Sequence, residues 1–214
     1  MEIKVMIISH KYKFIFLKTK KTAGTSIEIS LSRYCGDSDI ITPIMAEDEK
    51  IRAKLGKYPQ NYHIGQTDFH NHDSANKIKS LIGEEIWNSY YKFCFERNPW
   101  DKVISLYYFL VKDPKKENFD EFLEREGYKY AYNFPIYTIN NNSAVDYLGK
   151  YENLESDLKS ICDKISLPFD GWLPRAKGNF RKNRLHYSTQ YNKHQREVIR
   201  NYFKKEIDLF NYTF

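Results

Sequence analysis

The chain has 214 residues, with 34 lysines and arginines against 28 aspartates and glutamates, so its formal net charge is +6. Aromatic residues make up 16% of the sequence, which excludes a disordered chain, and the length suits one domain with a substantial core, so we assign residues 1–214 to a single domain. The three cysteines, Cys35, Cys94 and Cys162, form no Cys-x-x-Cys pair, which argues against a zinc site and favours free thiols in a reducing compartment.

The distribution of apolar residues predicts neither a secretory signal peptide nor a membrane-spanning helix. The N-terminal residues lack a long apolar segment followed by a small-residue cleavage site, and no apolar run approaches the roughly 20 residues of a membrane helix. The sequence therefore predicts a cytoplasmic protein without a membrane span. The basic excess suits an anionic ligand, and it would indicate nucleic acid only if it were clustered on one surface.

The first clear element is an apolar strand at residues 13–17, followed by a turn of small residues and a helix from about Thr25 to Tyr34. Such a turn directs backbone N–H groups and the positive end of the helix towards one point, where an anion binds. We expect Gly24 to adopt unusual backbone angles there. Lys21 adds a charge, and the hydroxyls of Thr25 and Ser26 add donors. The turn does not match the phosphate-loop template, which has two glycines followed by lysine, so a basic surface turn is the alternative.

Histidines stand out in the next part of the chain. Residues 37–60 are polar and turn-rich, and we interpret them as a surface segment within reach of a substrate. His70 and His72 follow, just before a helix that Asp73 or Ser74 caps and Gly83 ends. Because the two histidines lie two residues apart, their side chains point to the same side if the segment is extended. Histidine accepts a proton near neutral pH, so either one is a candidate base. The alternative for each histidine is a structural role in capping or packing.

A second strand-to-helix junction follows at residues 90–99. Tyr90-Tyr91-Lys92-Phe93-Cys94-Phe95 predicts a buried strand, and Asn98 and Pro99 are typical of a helix start. Arg97 therefore lies at a strand end beside a helix N-terminus, where its planar guanidinium group suits bidentate phosphate binding. Ser105, beside the apolar face of the helix, is a second candidate donor.

The last part of the chain contains further helices and a basic segment. Residues 117–148 predict an amphipathic helix and then a Tyr/Asn-rich stretch, and Tyr151-Glu152-Asn153-Leu154 precedes a helix that we take as structural. The final helix spans about Asn192 to Glu206. Between these two helices lies a basic loop, which either binds an anion or is simply solvated. Its charged residues are Arg175, Lys177, Arg181 and Lys182.

Two of these segments resemble motifs of the carbohydrate-type sulfotransferases. Lys21-Thr22-Ala23-Gly24-Thr25-Ser26 is similar to the family's "KTAGTS" or "KTASTS" loop, which binds the 5′-phosphosulfate group of 3′-phosphoadenosine 5′-phosphosulfate. Phe93-Cys94-Phe95-Glu96-Arg97-Asn98-Pro99-Trp100-Asp101, with Ser105 and Tyr107, is similar to the block "F-x-R-N-P-W-D-R-x-x-S-x-Y", which holds the 3′-phosphate. Two motifs in the family's order are far more specific than either alone.

The resemblance implies an α/β fold with a central parallel sheet flanked by helices, a P-loop-like nucleotide-binding architecture, and the cofactor across the carboxyl ends of the strands. It implies transfer of a sulfuryl group to a hydroxyl acceptor, and by family analogy the acceptor is a carbohydrate. It implies no metal, because lysine and arginine neutralise the leaving phosphate. The implied cofactor-binding residues are Lys21, Thr22, Ala23, Gly24, Thr25, Ser26, Arg97, Ser105 and Lys177.

For the reaction itself, Lys21 is the candidate that stabilises the leaving phosphate, with Lys18 and Lys20 as alternatives. His72 is the preferred base, because a His-x-His-like segment supplies the base in family members that act on polysaccharides. His70 and Glu28 remain alternatives. Two other functions stay open: a kinase-like transferase, which needs a carboxylate for Mg²⁺ after a buried strand, and a basic nucleic-acid-binding module.

Overall fold

A computed structural model describes residues 6–64, 67–69, 72–176 and 185–214. The strands are β1 (Ile7–Ser9), β2 (Phe14–Phe16), β3 (Ile40–Ile41), β4 (His63–Ile64), β5 (Thr67–Asp68), β6 (Tyr91–Glu96), β7 (Thr138–Ile139), β8 (Asn142–Ser143) and β9 (Tyr147–Lys150). The α-helices are α1 (Gly24–Ser32), α2 (Ala46–Ala53), α3 (Ala75–Ser89), α4 (Pro99–Leu110), α5 (Phe119–Glu124), α6 (Phe134–Tyr137), α7 (Leu154–Lys164), α8 (Lys193–Tyr202) and α9 (Lys204–Phe210). Short 3₁₀ turns lie at Gly127–Ala131, Tyr151–Asn153 and Tyr187–Gln190.

The main sheet has five strands in the order β3-β1-β2-β6-β9. Strands β2, β6 and β9 are parallel neighbours, whereas β1 runs antiparallel to both β2 and β3. The α/β prediction with parallel central strands is confirmed, and the sheet as a whole is mixed. The reason lies in the connection between β1 and β2, residues 10–13, which is long enough for a hairpin but too short for a parallel crossover.

Helices cover both faces of this sheet, because β2 and β6 alternate their side chains between two cores. Phe14, Phe16, Phe93 and Phe95 pack on the face that carries α1 and α7. The other face carries α3, α6 and the end of α9, and its buried residues include Ile15, Leu17, Cys94, Ile78, Tyr137 and Phe210. The central strands are therefore buried on both sides, as their continuous apolar sequences predict.

The prediction of a surface segment at residues 37–60 is wrong. Ile40 and Ile41 form the edge strand β3, and Arg52 on α2 has no exposed surface. The Arg52 guanidinium group is bound by the Glu49 carboxylate and the Thr42 carbonyl oxygen, and it lies 3.8 Å from Glu28. A charged residue enters a core only with such partners. Glu49 lies on the same helix as Arg52, but Thr42 and Glu28 lie on other segments, which a local pattern does not connect.

The predicted start of α3 is confirmed, whereas its predicted end is not. Ser74 Oγ accepts a hydrogen bond from the Lys77 N–H group and caps α3. Gly83 was expected to end that helix; it has φ = 83° and produces a kink, after which the helix continues to Ser89. Within the described residues, no helix has the length and apolar character needed to cross a bilayer.

A buried group of charges lies where β6 ends. Lys102 Nζ on α4 lies 2.8 Å from Glu96 Oε1 and 2.5 Å from Glu206 Oε2 on α9, and all three side chains have no exposed surface. Two carboxylates share one ammonium group, so burial and the nearby Glu206 carboxylate raise the pKa of Glu96 to about 7.

This raised pKa predicts a specific dependence of stability on pH. The unfolded chain releases the Glu96 proton near pH 4.5 and the folded chain near 7, so folded protein is favoured at low pH and loses that advantage as the pH rises through 7. From pH 6 to pH 8 the free energy of unfolding should fall by about 1 kcal/mol more in the wild type than in Glu96→Gln, measured by urea unfolding. Equal slopes in the two proteins would contradict the assignment.

Candidate active site

The loop between β2 and α1 has an unusual backbone conformation. Lys21 and Ala23 both adopt left-handed backbone angles, with φ = 63° and 61°, which costs on the order of 1 kcal/mol for each non-glycine residue. No side chain caps α1 in the described structure, and its first turn contains no acidic residue. The amide groups and positive end of α1 are therefore available to an anion.

Threonine hydroxyls hold this loop against the sheet. Thr19 Oγ1 donates to the Phe95 carbonyl oxygen of β6 and lies 2.8 Å from Thr22 Oγ1. Thr22 Oγ1 also lies 3.2 Å from the Thr19 carbonyl oxygen. The Thr22 side chain therefore stabilises the loop from inside, and only its backbone remains for the predicted contact with a ligand.

Gly24 has a different role from the one expected. It has no positive φ angle; the left-handed residues are Lys21 and Ala23. A Cβ atom at Gly24 would lie 2.5 Å from Lys18 Cγ, because the buried Lys18 side chain crosses directly beneath the loop. Lys18 Nζ donates to Thr25 Oγ1 at 3.0 Å and pairs with Glu28 Oε2 at 3.2 Å. The glycine therefore provides space for the Lys18 side chain.

We predict that Gly24→Ala destabilises the protein by about 1–3 kcal/mol, because the new methyl group forces Lys18 away from Glu28. Gly36→Ala is the matched control, since the nearest atom to its new Cβ would be Lys11 Cδ at 3.8 Å. Urea unfolding of both variants measures the difference. Equal stability of the two variants would show that Lys18 adjusts without loss.

Glu28 and Lys18, both considered for the chemistry, lie inside the protein. Glu28 has no exposed surface and contacts Lys18, Thr42 and Arg52. Burial raises its pKa, and the two cations oppose that shift. This arrangement fits a structural ion pair beneath the loop.

Arg97 lies against the same loop. Its Nη1 atom donates to the Lys21 carbonyl oxygen at 3.1 Å, and its Nε and Nη2 atoms donate to Asp101 Oδ2 at 2.9 and 2.6 Å. The guanidinium group also stacks on the Tyr151 ring, 4.0 Å from its centroid. A guanidinium group has five N–H donors, so one N–H on each terminal nitrogen has no acceptor among the described residues.

One face of α4 continues this surface. Asp101, Ser105 and Phe109 are spaced four residues apart and therefore lie on the same side of the helix. The Lys21 ammonium group lies over the Phe109 ring, 4.1 Å from its centroid. Ser105, which is half-buried, is thus placed between the residue that holds Arg97 and the residue that contacts Lys21.

His72 lies at the same end of β2. Its Nδ1 atom is 2.8 Å from the Lys18 carbonyl oxygen, just before the loop. A carbonyl oxygen only accepts hydrogen bonds, so Nδ1 carries a proton, and when the ring is neutral Nε2 therefore holds the lone pair. This is the tautomer that a base acting through Nε2 requires. His70 lies outside the described residues.

Several residues at this site were not predicted. The Asn133 side chain accepts from the Lys20 N–H group at 2.8 Å and donates to the Lys20 carbonyl oxygen at 3.1 Å. Glu152 Oε1 accepts from the Asn98 N–H group at 2.8 Å, so the segment with Tyr151 and Glu152, which we took as structural, packs on the Arg97 segment. In the sequence, Tyr151 and Glu152 are distinguished only by their place just before a predicted helix.

Two cavities differ in their relation to these residues. A cavity of about 370 Å³ adjoins the Arg97 segment and is lined by Asn98, Asp101, Glu152, Leu185, His186, Tyr187 and Tyr212. A larger one, about 430 Å³, lies beside α6, β8 and α9 and touches none of the predicted site residues. The first is the relevant one, because Asn98 and Asp101 of the Arg97 motif line it.

The basic loop is only partly described. Arg175 is exposed, and the Ala176 N–H group donates to Ser26 Oγ at 3.3 Å at the start of α1. Lys177, Arg181 and Lys182 lie outside the described residues. In the parts of the chain that the structure covers, no three His, Cys, Asp or Glu side chains form a metal-binding group.

Comparison with known proteins agrees with this geometry. A 96-residue stretch is 42% identical to an uncharacterised protein of Archaeoglobus fulgidus, covering 42% of this chain and 80% of that protein. No solved structure matches the chain significantly. The family model described as "Sulfotransferase family" matches residues 4–213. The chain therefore belongs to the sulfotransferase family.

Proposed function

We propose that this protein transfers a sulfuryl group from 3′-phosphoadenosine 5′-phosphosulfate to a hydroxyl group of a carbohydrate. The observation that carries the proposal is the hydrogen bond between Arg97 and the Lys21 carbonyl oxygen, 3.1 Å long. It joins two motifs that are 76 residues apart in the chain. One motif suits a 5′-phosphosulfate group and the other a 3′-phosphate, so one nucleotide can contact both.

In this proposal the loop amides and the hydroxyls of Thr25 and Ser26 bind the 5′ end of the donor, and Arg97 with Ser105 binds the 3′-phosphate. The cavity beside Asp101 is large enough to take part of the nucleoside. The contact of Lys21 with Phe109 is worth about 0.5–1 kcal/mol. An ion pair with a partly desolvated phosphate is stronger, so the ligand draws the ammonium group away from the ring.

The reaction is an in-line displacement. The acceptor oxygen forms a bond to sulfur while the bond between sulfur and the bridging oxygen breaks, and that oxygen keeps the electron pair as part of the leaving phosphate. Lys21 stabilises the charge that develops on the phosphate. His72 Nε2 takes the proton of the acceptor hydroxyl, and the Lys18 carbonyl oxygen holds the ring through Nδ1.

The carbohydrate acceptor is inferred from the resemblance of the Lys21–Ser26 loop and of the His70–His72 segment to enzymes of that class. The kinase-like alternative needs a carboxylate at the end of a buried strand to hold Mg²⁺. Glu96 is the residue at the end of β6, and it is buried in contact with Lys102, Asn133 and the Arg97 N–H group. That carboxylate supports the fold and is not directed at a nucleotide.

Isothermal titration with adenosine 3′,5′-bisphosphate tests the proposal. We expect saturable binding in the micromolar range without added metal, and sulfation of at least one oligosaccharide when the sulfated nucleotide is supplied to a panel of acceptors. Absence of binding at millimolar ligand would overturn the proposal. Magnesium-dependent turnover of ATP would favour the kinase-like alternative.

Arg97→Lys provides a residue-level prediction. Lysine keeps the charge but loses the bidentate fork, so we expect the affinity for adenosine 3′,5′-bisphosphate to fall by about 10- to 100-fold. Affinity for adenosine 5′-monophosphate, which lacks the 3′-phosphate, should change by less than about threefold. Arg125→Lys, at an arginine paired with Glu117, is the control. Equal losses for both nucleotides would place the 3′-phosphate elsewhere.

A further inference from the structure

We propose that Asn133 is a positioning residue that sets the conformation of the Lys21 loop for the 5′ end of the nucleotide; this inference rests on the proposed function. Its side-chain amide makes two hydrogen bonds to the backbone of one residue, accepting from the Lys20 N–H group at 2.8 Å and donating to the Lys20 carbonyl oxygen at 3.1 Å. The residue fixed in this way is the one immediately before Lys21. A displaced Lys20 would change the direction of every N–H group that follows it in the loop.

The Asn133 side chain does not cap its own helix, although its position favours that role. Asn133 occupies the N-cap position of α6, where an asparagine oxygen usually accepts from the first turn of its own helix. Here the side chain makes no such bond. It reaches instead to a loop 113 residues away in sequence. Glu206 caps the start of α6 instead, because its Oε1 atom accepts from the Asn133 and Phe134 N–H groups at 2.7 and 3.0 Å.

The buried charges near the end of β6 hold Asn133 in place. Its Nδ2 atom donates to Glu96 Oε1 at 3.2 Å, and Lys102 joins that carboxylate to Glu206. Glu96 Oε1 also accepts from the Arg97 N–H group at 2.8 Å. One carboxylate oxygen therefore contacts both the side chain that binds the Lys20 backbone and the backbone of Arg97. Water does not reach the network, because none of its four side chains is exposed.

This connection gives the two halves of the nucleotide site a common support. The loop that meets the 5′ end is held through Asn133, and the start of the Arg97 segment is held through Glu96. The distance between the two anion-binding groups is then set by buried hydrogen bonds on β6, α4 and α9, all of which exist before a nucleotide arrives. Preorganisation of this kind lowers the entropy lost on binding.

The test measures the contribution of the 5′-phosphate to binding separately from that of the 3′-phosphate. In the wild type, the ratio of the Kd for adenosine 3′-monophosphate to the Kd for adenosine 3′,5′-bisphosphate measures what the 5′-phosphate adds. Asn133→Ala should reduce that ratio by about tenfold, with affinity for the 3′-monophosphate nearly unchanged. Asn192→Ala removes another asparagine, the cap of α8, at a typical stability loss of about 1 kcal/mol. It should leave the ratio unchanged.

An unchanged ratio in folded Asn133→Ala would overturn the inference while leaving the proposed function intact. Failure of the wild type to bind either nucleotide would instead overturn the proposed function. If Asn133→Ala does not fold, hydrogen exchange on the wild type decides. The Lys20 amide should then exchange at least about tenfold more slowly than an unstructured amide; exchange at the unprotected rate would show that Asn133 does not hold it.

Discussion

Lys21→Met is expected to lower kcat by about 10³-fold, because the leaving phosphate then develops its charge without an ammonium group nearby. Methionine keeps most of the length and apolar volume of lysine and can still pack on the Phe109 ring, although it loses the ammonium contact with that ring. The interaction matters most in the transition state, so the affinity for adenosine 3′,5′-bisphosphate should fall by less than about tenfold. Turnover is measured as release of that bisphosphate with an acceptor from the oligosaccharide panel.

Lys20→Met is the matched control for that variant. It removes the same charge from the adjacent residue, while the backbone groups of residue 20 keep their hydrogen bonds to Asn133. We expect kcat to change by less than about threefold. Equal losses in the two variants would mean that the loop needs only general positive charge, and normal turnover of Lys21→Met would remove Lys21 from the mechanism.

His72→Ala should lower kcat by about 10²- to 10⁴-fold while nucleotide affinity stays unchanged, because it removes the base and no group that binds phosphate. Added imidazole should restore part of the activity, which loss of a purely structural residue would not allow. His10→Ala is the control, since His10 Nδ1 contacts the Tyr90 hydroxyl near the first residues of β2 and β6, at the other end of these strands from the loop. Full activity of His72→Ala would exclude this histidine as the base.

The site was predictable where its residues are adjacent in sequence. The Lys21–Ser26 turn and the Arg97-Asn98-Pro99 junction are each a strand end followed by a helix start, and both signals depend on neighbouring residues alone. Asn98 Oδ1 does accept from the Trp100 N–H group, as its capping position predicts. The resemblance then identified the two segments as motifs of one family, in the family's order. The structure places them in contact.

The residues that support the site were not predictable in this way. Asn133, Lys102 and Glu206 belong to three separate elements, and in sequence each is an ordinary polar residue. Arg52 was assigned to a surface segment for the same reason, although it is fully buried. Gly24 was assigned a backbone role, whereas it makes space for the side chain of Lys18.

The sequence by itself therefore determined the fold class, the family and the two segments proposed to bind anions, because strand and helix periods, caps and short motifs are local properties of the chain. Only the tertiary structure decided which charges are buried, what holds the His72 ring and what holds the Lys21 loop. The partners that hold His72 and the loop lie 54 and 113 residues away in sequence. A buried charge or amide is stable only beside such partners, so its role becomes visible when the chain has folded.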